Sequence, residues 1–263
     1  MPVRVLAAGA FCVAAVCQVS SAAAAPLVLS GSLSGSYADL STPGGDSSIW
    51  GGVGRANLAI LDPGPNVQVN VADAEFNFPK SSLVSNANLW GYGGDVYWRD
   101  YAGAFGASVA TLRFPDSHSS QSLSYGLFGE AYFFRSITLR LKGGAVTNNV
   151  SAYYGDAGIA VYPVRNIALD ADVDYAKVQH GGPELRDVKV SAEYLPVPKI
   201  PVSVNVGYTY EKLSQISGHV NVFSAGITVY FGGEGVDGSL RDRQRNGPIT
   251  WDGTPASLIG LGL

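Results

Sequence analysis

The sequence predicts an all-β chain folded as an antiparallel, up-and-down transmembrane β-barrel of about twelve strands, within a range of about ten to fourteen. Two observations carry this. Segments of about ten residues alternate strictly between apolar and polar positions and are separated by turn residues, which is the periodicity of strands with two unlike faces. The apolar parity is also thin, with many Gly and Ala positions and with aromatics gathered near segment ends, a composition suited to lipid rather than to a close-packed interior. Composition agrees, with 33 Gly and 14 Tyr against only 14% charged residues in 263.

Residues 123–145 display the unit. Leu123, Tyr125, Leu127, Gly129, Ala131 and Phe133 share one parity, as do Ile137, Leu139, Leu141, Gly143 and Ala145. The other parity carries Ser124, Glu130, Tyr132, Thr138, Arg140 and Lys142, and a turn at Phe134, Arg135 and Ser136 sets Glu130 opposite Arg140. Before this hairpin lie predicted strands at 27–38, 50–60, 67–78, 89–98 and 103–112. After it they fall at 153–162, 167–176, 186–194, 202–210 and 220–231. Proline-rich turns (LDPGPN, LPVPKIP) and polar loops connect them. Each strand is near the nine to eleven residues that a tilted span needs. The third segment breaks the rule: Val67, Val69 and Val71 share parity with Asp73 and Glu75. Carboxylates facing hydrocarbon are costly, so a bulge near Ala72 is expected, turning Phe76 and Phe78 to the lipid side.

The N-terminus reads as a secretory signal over residues 1–24, with Arg4, an apolar run from Val5 to Val16 and small residues at Ala22–Ala25. The run is too short to span a bilayer, which takes about 20 residues. Cys12 and Cys17, the two cysteines, both fall inside it, so the mature chain is expected to have no thiol chemistry, no disulfide and no cysteine metal site. A net charge of −4 argues against a nucleic-acid partner.

At its last strand the chain resembles the bacterial outer-membrane β-barrel (porin-like) families, whose final strand alternates apolar residues and stops on an aromatic; AGITVYF, ending in Tyr230 and Phe231, has that form. The resemblance implies an exported protein of the bacterial outer membrane, with residues 25–231 as the barrel and with outer-membrane lipids around it. It further implies that Val229, Tyr230 and Phe231 are read by the barrel-assembly machinery. The families usually end at the aromatic, whereas this chain continues through 232–263, a Gly-rich stretch with an RDRQR segment, expected as a flexible periplasmic tail that could alternatively plug the lumen or dock on a partner.

Charged residues of the polar parity are the expected pore lining: Arg55, Asp95, Glu130, Arg140, Lys142, Asp156, Asp170, Asp172, Asp174, Lys189 and Glu193. Successive carboxylates of Asp170, Asp172 and Asp174 are about 6.8 Å apart along a strand, too wide for a compact calcium cage but suited to a stripe that attracts cations. The same residues could instead form a salt-bridge network that closes a small barrel, and both readings stay open here. Tyr37, Trp50, Trp90, Trp98, Tyr175, Tyr194 and Tyr210 fit the girdles in which amphipathic rings settle at headgroup depth; Trp251, in the tail, belongs to no girdle. His118, Ser119 and Ser120 could suggest an outer-membrane lipid hydrolase, but a polar loop rarely holds a nucleophile and base in hydrogen-bond reach. No catalytic residue, metal or cofactor is expected. The reading is a small passive channel for ions or small hydrophilic solutes, with a closed structural or surface-contact barrel as the alternative.

Overall fold

The computed structural model describes residues 27–42, 45–61, 63–77, 87–113, 121–148, 151–214, 219–232 and 238–249. The signal region 1–24, the His118–Ser120 loop, Phe78 and Trp251 lie outside the described residues. Twelve strands are present among the described residues, at the places the alternation marked: β1 Val28–Thr42, β2 Gly45–Ala59, β3 Gly64–Asn77, β4 Ala87–Arg99, β5 Gly103–Arg113 and β6 Gln121–Phe133. They continue as β7 Ile137–Thr147, β8 Ala152–Val164, β9 Ile167–Val178, β10 Glu184–Tyr194, β11 Val202–Leu213 and β12 Val220–Gly232. Each pairs antiparallel with its sequence neighbours, and β1 pairs with β12 to close the barrel. Closure leaves no sheet edge unpaired, as a lipid environment requires.

The period-two pattern sorts side chains between the two faces. Leu33, Val69, Phe105, Leu127, Leu141, Val173, Val206 and Ile227 are all exposed on the convex surface. Their chain neighbours of opposite parity, Ser32, Gln68, Ala104 and Phe128 among them, are buried inside. The turns after β2, β4, β6, β8 and β10 lie at the same end as both ends of the strand array, here called the terminal end; the other connections lie at the loop end. In the three-residue turn between β6 and β7, Phe134 and Arg135 both take positive φ (47° and 57°), the left-handed backbone that tight hairpin turns use. The expected register of Glu130 opposite Arg140 is present.

No bulge occurs near Ala72. The register runs unbroken through Gly54↔Val71, Val53↔Ala72 and Gly52↔Asp73, and Asp73 and Glu75 keep the outward parity while Phe76 keeps the inward one. The reason is length: β3 has 14 residues, more than the nine to eleven of a span. Asp73 lies opposite Trp90 and Glu75 opposite Trp50, so both carboxylates stand at the level of the aromatic rings, beyond the apolar stretch of the strand.

The interior is not uniformly polar. Towards the loop end Val146, Ala152, Tyr154, Ala176 and Leu185 form a buried apolar cluster. The Tyr154 ring can lie there because β7 offers Gly144, where a Cβ would come within 2.6 Å of the phenol oxygen.

Candidate functional site

Inward parity collects nine acidic side chains, Asp95, Glu130, Asp156, Asp170, Asp172, Asp174, Asp187, Glu193 and Glu211, against five basic ones, Arg55, Arg99, Arg140, Lys142 and Lys189, among the described residues. Every residue expected to line the pore thus projects inward. Four of the acids form a row across adjacent strands: Asp156 on β8 faces Asp174 on β9, Asp174 faces Asp187 on β10, and Asp187 faces Glu211 on β11. Like charges set directly opposite one another repel; Lys142, opposite Asp156 in register, offsets part of that repulsion, and cations or protons drawn into the lumen relieve the rest. Asp187 and Glu211 were not among the expected lining; their inward parity was readable, but the cross-strand row appears only once register is known.

The alternative of a salt-bridge network is present in part. Arg140 Nη2 lies 2.8 Å from both Asp170 Oδ1 and Asp172 Oδ1, reaching from β7 to β9 across β8. The residue between them is Gly158, where a Cβ would fall 2.0 Å from Asp172 Oδ1; its missing side chain leaves room for the bridge. Glu130 does not take the Arg140 bridge that its register position suggested and instead accepts the Tyr132 hydroxyl at 2.8 Å.

On the opposite wall the lumen carries amides. Asn57, Asn66, Gln68 and Asn70 are buried beside Asp95 and Tyr97. Asn57 Nδ2 donates to Asn66 Oδ1 (3.2 Å), Tyr97 Oη to Asn57 Oδ1 (2.7 Å), and Asn70 Nδ2 and Gln68 Nε2 both donate to Asp95 Oδ2 (2.5 and 3.1 Å).

The terminal mouth is occupied by residues 238–249. This stretch is not a free tail but lies in the lumen, the alternative the sequence left open, with packing or hydrogen-bond partners on β3 to β10 and β12. Its helix α1, Leu240–Asn246, is capped by Ser239, whose hydroxyl accepts from the Asp242 N–H and donates to Asp242 Oδ2, so that one orphan donor of the first turn is satisfied. Burial pushes the Asp242 carboxyl up, but the Ser239 hydroxyl and then Arg241 outweigh it and hold the group below its ordinary range. Gly247 closes the helix with its N–H on the Arg243 carbonyl at 2.8 Å. Leu240 packs without exposure among Ala160, Tyr162, Ala168, Leu195 and Tyr230. Ile249 packs among Tyr97, Ala104 and Phe128, nearly half the ring of strands away, so the segment crosses the lumen.

Polar contacts fix it between these ends. The Arg245 guanidinium lies 5.0 Å from the Tyr132 ring and 5.5 Å from the Tyr162 ring and donates to the Ile137 carbonyl (2.6 Å) and Thr138 Oγ1 (3.2 Å). Gln244 donates to Glu193 Oε2 (2.8 Å) and accepts from Tyr162 Oη (2.8 Å). Arg99 Nη1 donates to the Gly247 carbonyl at 2.5 Å. Glu193, expected as pore lining, therefore serves as an anchor, receiving also the Tyr230 and Ser203 hydroxyls.

On the convex surface Tyr37, Trp50, Trp90, Tyr175 and Tyr210 stand towards the loop end and Trp98 and Tyr194 towards the terminal end. Tyr37 and Trp50 pack at 4.6 Å between ring centroids. In the last strand Val229 and Phe231 face outward, whereas Tyr230 faces the lumen.

No family model matches the sequence, and no curated protein matches it. Solved structures match the fold. The chain is similar to the COG4313 outer membrane channel from Pseudomonas putida F1 at 10% identity and a TM-score of 0.59, over 81% of this chain and 100% of that one. It is also similar to the KdgM porin at 12% identity and a TM-score of 0.50, over 75% of this chain and 99% of that one. At such identities the shared property is the architecture: the chain has the closed antiparallel barrel of outer-membrane channels, the fold its last strand resembles.

Proposed function

We propose that this chain is an outer-membrane barrel whose lumen passes small cations and small hydrophilic solutes passively, with a preference for positive charge. The observation that supports it is the Asp156, Asp174, Asp187 and Glu211 row. Four carboxylates opposed across four neighbouring strands and enclosed by a low-dielectric wall raise the local cation concentration and disfavour anions. A solvated lumen is what makes so many like charges tolerable at these separations.

A second reading, a barrel shut for structural or surface-contact duty, is favoured by one specific feature, the segment lying across the terminal mouth. Planar-bilayer recording separates the two. Discrete conductance steps with cation preference, reduced when Asp156, Asp174 and Asp187 become Asn, support the channel. A bilayer that stays silent with the mouth segment removed supports the shut barrel.

A further inference from the structure

We propose that the terminal mouth of the lumen is a binding site for an arginine-bearing peptide segment, that the chain fills it with its own residues 238–249, and that filling it shuts the channel. The inference rests on the channel reading above and goes further by assigning a gate.

The mouth recognises the segment in two chemically different ways. Gln68 pairs its carboxamide with both backbone groups of Ile249, accepting from the N–H at 2.7 Å and donating to the carbonyl at 2.9 Å. That contact reads peptide backbone and is blind to side chain. The cradle around Arg245 reads a guanidinium: two phenol rings present their faces, while the Ile137 carbonyl and Thr138 hydroxyl take in-plane N–H groups. A flat, delocalised cation with several donors suits this cradle better than an ammonium would. The segment carries Arg241, Arg243 and Arg245 against the single acid Asp242, and it enters a lumen in which acids outnumber bases, so charge complementarity favours its seating.

The segment is also separable from the wall. Barrel closure is made by β1 and β12 between Ser30↔Gly232 and Ser41↔Asn221, and none of the described residues beyond 232 takes part in that pairing, so the barrel has its full strand set without the segment. Of the segment's apolar side chains, Leu240 and Ile249 pack in clusters with the wall, and Pro248 is buried as well. Most of the other holding contacts are polar, and water can replace them.

The test compares the full chain with a chain ending at Gly232 in planar bilayers, then adds a synthetic peptide of sequence GSLRDRQRNGPI to the truncated barrel. The proposal expects conductance to rise on truncation and to fall again with peptide applied from the terminal side. A peptide with Arg245→Ala should need about tenfold more for the same block, the loss expected when a desolvated cation–π contact and its hydrogen bonds go. In the full chain, Arg165→Cys with Arg241→Cys joins positions already linked by the Arg241 N–H to Arg165 carbonyl bond at 3.1 Å. The oxidised form should stay shut and reduction should release it. This pair keeps the test informative should the truncated chain assemble poorly. Equal conductance of truncated and full chains, or of oxidised and reduced pairs, would overturn the gate while leaving the channel reading standing. A peptide without effect on an open truncated barrel would overturn the site. A truncated, folded barrel that never conducts would remove the channel reading itself.

Discussion

Gln68 on β3 holds both backbone groups of Ile249, a residue 181 positions later in the chain. The carboxamide is fully buried, so each of these bonds forms away from competing water. Replacing Gln68 with Leu removes both and leaves the Ile249 N–H and carbonyl without their partners, at about 1–3 kcal/mol per unsatisfied group. The expected outcome is a loosened segment: trypsin should cut at Arg241, Arg243 and Arg245 at least several-fold faster in the variant, with strand protection unchanged. Equal cleavage rates would show that Gln68 does not hold the segment.

Arg140 bridges Asp170 and Asp172, one positive charge shared between two carboxylates. Arg140→Gln leaves two carboxylates unpaired inside the lumen, which should strengthen cation preference, read as a larger reversal potential in a salt gradient. Destabilisation should fall below the roughly 3–5 kcal/mol of a pair broken in a dry interior, because a solvated lumen rehydrates the acids. A shift towards anions would contradict the assignment of these acids to the conducting path.

At the seam Phe231 of β12 lies over Gly31 of β1. A Cβ at Gly31 would fall 2.0 Å from Phe231 Cζ and 2.6 Å from the Arg55 carbonyl oxygen, and a backbone oxygen cannot swing aside. Gly31→Val should therefore cost about 1–3 kcal/mol by overpacking and slow closure of the barrel. Urea unfolding and the heat-dependent gel shift of folded barrels measure both effects, and wild-type behaviour would show that the seam has slack.

Leu141 stands at mid-strand on the convex surface and Asp73 at the level of the aromatic rings. Leu141→Arg should cost about 2–4 kcal/mol in a bilayer and Asp73→Arg only about 0–1. Unfolding titrations in lipid vesicles test the pair. Similar costs at the two positions would mean that the hydrocarbon layer does not lie where the strands place it.

The twelve strands were legible because each has one apolar outward face and one face turned to the lumen, and a period of two needs no knowledge of partners. β3 was misread near Ala72 for a physical reason: alternation says which face a residue takes but not how high it stands, and Asp73 and Glu75 stand above the apolar band. Gln68 and its neighbouring amides drew no attention in the sequence because an uncharged polar residue at an inward position looks like ordinary lining. What sets them apart is a partner in the C-terminal segment, a contact that no local pattern encodes. The acidic row was half legible, since Asp156 and Asp174 could be placed inward one by one while their opposition to each other and to Asp187 depends on register. Glu193 was placed correctly on the inner face, yet its bond to Gln244 belongs to a long-range contact of the same kind as that of Gln68.

The central claim is a water-filled acidic interior inside a lipid-facing shell, and cysteine accessibility along β9 tests it most directly, since the two natural cysteines both lie at the extreme N-terminus. Single cysteines are placed at 171, 172, 173 and 174, with the chain ended at Gly232 and reconstituted in vesicles, and exposed to a charged, membrane-impermeant thiol reagent. The account predicts rapid labelling at positions 172 and 174 and none at 171 and 173. Labelling at 171 and 173 with protection at 172 and 174 would turn the barrel inside out and contradict it.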